Sequence, residues 1–74
     1  MPKLTAATMA KVLTTMRRIP DFDVDRICAE SALSFREYKA VQPFLQWCHD
    51  HERVPKWGTW MAAYDDFCRV DETA

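Results

Sequence analysis

The sequence predicts a small, mainly α-helical domain of about four helices. Three observations lead there. Apolar residues recur at helical spacing in four separate runs. A residue suited to helix capping (Thr5, Asp23, Ser34, Thr59) stands at the head of each run. Glycine occurs once in 74 residues, too rarely for the many turns of a β fold.

The first run is Ala6, Met9, Val12, Leu13, Met16 and Ile19, capped by Thr5 and carried to about Arg18. Thr8, Lys11, Thr15 and Arg18 are its polar face, and Pro20 stops it. The second run, Val24, Ile27 and Cys28, starts after Asp23 and reaches about Ser31. Phe22 is placed to staple onto Ile27, and Asp25 puts a carboxylate at the positive end of the helix dipole.

Ser34 and Glu37 form a capping box ahead of Phe35, Tyr38, Val41, Leu45 and Cys48. Ala40, Phe44 and Trp47 make a second stripe beside that one, so helix three is covered on a broad arc and should be central. Pro43 lies inside it. The side chains beyond stay in phase with those before, which predicts one kinked helix rather than two segments. The expected core is Ile27, Leu33, Phe35, Val41 and Leu45 packed against helix one.

From Pro55 to Trp60 two readings compete. Trp57-Gly58 could turn a hairpin and make a short β-wing, but Pro55 would weaken its first strand. Thr59 followed by Trp60, Ala63, Tyr64 and Phe67 reads instead as a capped amphipathic helix over 60–69, the preferred expectation. The whole is one domain: a paired-helix core over 21–54, a C-terminal helix or wing over 55–70, and a frayed tail over 71–74.

At this length a core rarely supplies more than ~3–5 kcal/mol, so association with a partner would help. No apolar run approaches the ~20 residues of a membrane span, and the N-terminus lacks a signal-peptide core. Cys28, Cys48 and Cys68 are an odd number in helical segments, which fits a reducing, cytoplasmic setting better than a disulfide scaffold. Cys28 and Cys48 read as small buried hydrophobes. The net charge of −1 is unevenly spread: residues 1–20 carry +4, residues 21–33 carry −3, residues 34–58 carry +1 and residues 59–74 carry −3. Any contact with nucleic acid must therefore use a local basic face.

Helices two and three are joined across three or four residues, so they cannot lie flat and antiparallel and must cross steeply. Together with Ile27-Cys28, Ala32-Leu33-Ser34, Tyr38 and Val41, this stretch resembles the helix-turn-helix superfamily, and more loosely its winged-helix branch. The resemblance covers roughly residues 7–54. It implies a helix-turn-helix bundle whose second helix enters the DNA major groove. Ala32 stands where the family's turn holds glycine; if that residue is left-handed, alanine costs on the order of 1 kcal/mol more than glycine. Tyr38 is bulkier than the aliphatic residue the pattern expects.

Two functions follow as expectations. In the first, a small DNA-binding regulator, in all expectation a dimer, sets Arg36, Lys39 and Gln42 against bases or phosphates, with Lys11, Arg17 and Arg18 on the flanking backbone. In the second, the same fold is a protein-interaction module, a subunit of a complex or a small inhibitor of a larger machine, without DNA. Trp47, Trp57 and Trp60 beside Phe44, Tyr64 and Phe67 are more aromatic bulk than one small core should enclose. Trp47, Trp57 and Trp60 are therefore the expected interface with a partner or a second copy.

Enzyme chemistry finds no foothold. Cys48-His49-x-His51 lacks zinc spacing, and Asp65-Asp66 diverge on a helix. No glycine loop or nucleophile–base spacing is present. The expectation is a non-enzyme with no cofactor, metal, membrane or small-molecule substrate.

Overall fold

The computed structural model describes residues 4–73, with side chains as far as residue 69. It holds four helices: α1 (Ala6–Arg18), α2 (Val24–Glu30), α3 (Phe35–Asp50) and α4 (Trp60–Thr73). The helix starts follow from local chemistry. The Thr5 hydroxyl accepts from the Thr8 N–H at 3.2 Å, and Asp23 Oδ1 accepts from the Arg26 N–H at 3.2 Å. At α3 the box closes both ways: the Glu37 N–H donates to Ser34 Oγ at 3.2 Å, and the Ser34 N–H to Glu37 Oε1 at 3.0 Å.

The ends are equally local. Ile19 and Pro20 take the chain out of α1, and Arg17 and Arg18 lie in its last turn, where cations suit the dipole. At the end of α2 the Ser31 N–H and hydroxyl both donate to the Ile27 carbonyl, at 3.1 and 2.6 Å. Ala32 then turns left-handed at φ 53° before Ser34 opens α3. Replacing Ala32 with glycine should remove the Cβ penalty there and raise stability by roughly 1 kcal/mol, less whatever glycine adds to unfolded-chain entropy. A urea melt checks this, and an unchanged or lower midpoint would count against a left-handed turn.

α3 continues through Pro43 as a single helix. It ends in a Schellman turn: the Arg53 N–H donates to the Cys48 carbonyl at 2.8 Å and the Glu52 N–H to the His49 carbonyl at 3.2 Å. Glu52 holds the left-handed position at φ 55° that glycine usually fills.

Residues 53–56 take no regular structure, residues 57–59 form a turn, and no strand occurs among the described residues, so the β-wing alternative falls away. Pro55 offers no backbone donor, while the Lys56 carbonyl accepts from Thr59 and Trp60 at 3.0 and 2.9 Å, closing the chain on itself and leading it into α4. α4 runs on to Thr73, past the 60–69 expected and through most of the stretch read as a frayed tail. Once a helix is nucleated, each added residue fixes little and gains one hydrogen bond.

α3 is the centre. Val41, Phe44, Leu45 and Cys48 are fully buried on it, joined by Met9 and Val12 of α1 and Ile27 of α2. α2 packs on α1 and α3, and α4 packs on α3.

Several expectations about faces are corrected. Phe35, expected in the core, is 75% exposed, and Tyr38 is 42% exposed. The first turn of α3 meets α1 through polar groups, so there is no apolar wall for either ring. Thr8 and Thr15, assigned to a solvated face, are buried because their hydroxyls are satisfied: Thr8 donates to Glu37 Oε2 at 2.8 Å and Thr15 to the Lys11 carbonyl at 3.0 Å. Ala6, placed on the apolar face, is exposed. No helix among the described residues is long and apolar enough to cross a membrane.

Candidate functional site

The N-terminal half of α3 carries the residues that sequence reasoning assigned to DNA. Arg36 and Lys39 are exposed and Gln42 is half-buried. Lys39 Nζ lies 4.9 Å from the centroid of the Phe35 ring, so an aromatic face and an ammonium are presented together. Arg36 has no acidic neighbour within ion-pair distance among the described residues. The one acid in this turn, Glu37, faces the α1 seam instead. There it accepts from the Ser34 N–H, from the Thr8 hydroxyl and from Lys11 Nζ at 3.1 Å.

Those three donors, the Ser34 N–H first, pull the Glu37 carboxyl from its ordinary value down to about 2. The folded pKa lies below the unfolded one, so the ionised carboxylate favours the fold. Its contribution is complete above about pH 4.5 and is lost as pH falls toward 2. Glu37→Gln should therefore melt at a temperature that depends less on pH across that window than the wild type does. Parallel wild-type and variant curves would show that the seam does not hold Glu37 ionised.

The remaining basic residues separate. Lys11 is committed to Glu37, leaving it only partly free for a phosphate. Arg17 does not join the α3 face: it lines an open groove of about 310 Å³ with Leu13, Met16, Val54, Pro55, Lys56 and Trp57. Arg18 is exposed at the end of α1.

The three tryptophans also part company. Trp57 is 55% exposed, whereas Trp60, the first residue of α4, is buried at 6% and so is not offered to a partner. Trp47 is half-buried, its ring stacked on His51 at 4.4 Å with Arg53 5.4 Å from its centroid. The surplus of aromatics is absorbed because α4 folds over α3. Phe44 meets Tyr64 edge-on at 5.3 Å and Phe67 at 5.7 Å, and Phe67 meets Trp47 at 5.9 Å.

Cys48, His49 and His51 point apart. Cys48 is buried, His49 meets the Phe22 ring edge-on at 5.7 Å, and His51 lies on Trp47. Burial raises the Cys28 and Cys48 thiols to about 11, so both are protonated and unreactive near neutral pH. Asp65 and Asp66 pair with different arginines, Arg69 at 2.8 Å and Arg53 at 2.9 Å.

Sequence reasoning missed the groove. The signal was Val54-Pro55-Lys56-Trp57, a short apolar and basic segment directly after a helix end, with no periodicity to mark a face. Compared with protein-family models, with curated proteins and with solved structures, the chain finds no match.

Proposed function

We propose that the protein is a small helix-turn-helix DNA-binding regulator that lays the N-terminal half of α3 in the major groove. The observation that carries this reading is the composition of that surface. Arg36 and Lys39 are exposed beside Phe35, while Glu37 is tied back to Ser34, Thr8 and Lys11. A face left with two cations and no free acid suits phosphates and the acceptor edges of guanine. An exposed Phe35 suits the methyl group of thymine, and Gln42 suits adenine. The short connection between α2 and α3, with Ala32 left-handed, supports this reading, because a helix-turn-helix needs a sharp turn between those two helices. Two copies on half-sites about 34–36 Å apart would supply the phosphate contacts one small domain lacks.

The test is a fluorescence-anisotropy titration on duplex DNA across a salt series. Binding should weaken steeply with salt, and Arg36→Ala with Lys39→Ala should lower the slope by roughly one per lost phosphate contact. Because both side chains are exposed, the double variant should melt within about 0.5 kcal/mol of wild type. Wild-type binding no tighter than ~10⁻⁴ M at low salt would end this reading, since non-specific binders reach ~10⁻⁴–10⁻⁶ M.

The second reading, a protein-interaction module without DNA, is favoured by one feature away from α3: Trp57 and Val54 are more than half exposed along an apolar groove.

A further inference from the structure

The groove between the C-terminal half of α1 and the segment 54–57 has a definite chemistry. Met16, Val54 and Pro55 give it apolar walls, and Trp57 stands at one side with 55% of its surface exposed. A smaller hollow of about 120 Å³ shares Met16 and Val54 and continues past Ile19 and Pro20 to Asp21, so the apolar strip is longer than one side chain and the ligand's carboxylates belong at its other end, by Arg17 and Lys56. Arg17 and Lys56 flank the wider part, and neither has a carboxylate partner among the described residues. An apolar channel edged by two unpaired cations is complementary to a ligand that brings apolar anchors and negative charge together.

We infer that this groove is the docking site for an acidic amphipathic segment of another protein, with large apolar side chains entering along Met16, Val54 and Trp57 and carboxylates meeting Arg17 and Lys56. Anchors one helical turn apart would match the strip. The occupant is not a second copy, because the described surface of this chain offers no such element. Its exposed Met61 has Asp65 one turn on, already paired to Arg69 at 2.8 Å. Its exposed Phe35 and Tyr38 flank Glu37, already bound to Lys11 at 3.1 Å. The site is separate from the α3 face and stands whether or not that face binds DNA.

The experiment is selection of a displayed peptide library against the full chain. Peptides of about twelve residues would carry two fixed apolar anchors one turn apart, the other positions being randomised. Enrichment of aspartate and glutamate is expected. Synthesised winners should lose at least about tenfold in affinity on Trp57→Ala, as for a central interface tryptophan, and again on Arg17→Glu with Lys56→Glu. Arg36→Ala with Lys39→Ala should leave their binding unchanged, which separates this site from the α3 face. Winners that are neutral or basic, winners that bind Trp57→Ala equally well, or no enrichment at all would overturn the inference. So would sedimentation equilibrium showing a dimer that Trp57→Ala dissolves, since the groove would then belong to a second copy. Trp57 is largely exposed, so its variant should melt close to wild type, and a melt confirms that the reagent is folded.

Discussion

Phe44→Ala is expected to leave little folded protein at 25 °C. Phe44 is fully buried, and its ring is the surface on which Tyr64 and Phe67 of α4 rest. Removing a buried phenylalanine costs ~3–5 kcal/mol, through lost transfer energy and through the cavity left behind. A domain of this length has only ~3–5 kcal/mol to lose. The loss should be uneven, because α4 is held chiefly through this cluster. Urea unfolding followed by far-ultraviolet circular dichroism should show a lowered midpoint, with part of the helical signal gone before the main transition. A variant melting within a few degrees of wild type, when each kcal/mol lowers Tm by about 4–8 °C, would mean that α4 is not anchored on Phe44.

Leu45→Ala is the second large effect, at ~2–5 kcal/mol. Leu45 is one residue on from Phe44 and also fully buried, on the stripe it shares with Val41 and Cys48. Leu45→Met separates volume from mere hydrophobicity: a swap that conserves volume should cost less than about 1.5 kcal/mol. If alanine and methionine destabilise alike, the site is not tightly packed and α3 is not the centre of the domain.

The sequence by itself determined the helices and their starts. Thr5, Asp23 and the Ser34–Glu37 box each act on a backbone N–H three residues along, so the interaction is complete within a stretch that can be read directly. The buried stripe of α3 was legible for the same reason: Val41, Leu45 and Cys48 repeat at the period of the helix itself. The left-handed turn was legible as a question, because Ala32 stands where the turn of the pattern it resembles holds glycine, and the φ of 53° answers it.

Tertiary structure alone decided which apolar side chains are covered. Phe35 and Tyr38 fit the period of the stripe and still lie in the open, because periodicity gives an angle around the helix and says nothing of where the neighbouring helix stops. Trp57 and Trp60 are three residues apart, yet one is exposed and the other buried, according to which side of the α4 start each occupies. Glu37 reads as a capping residue, but its ties to Thr8 and Lys11 join positions 29 and 26 residues apart, and no local pattern encodes that meeting. The basic residues were divided in the same way: Arg36 and Lys39 stayed together on one exposed helical turn, while Arg17 was carried to the groove beside Trp57. Capping and periodicity act within a few residues of chain, whereas coverage depends on where separate helices come to rest against one another.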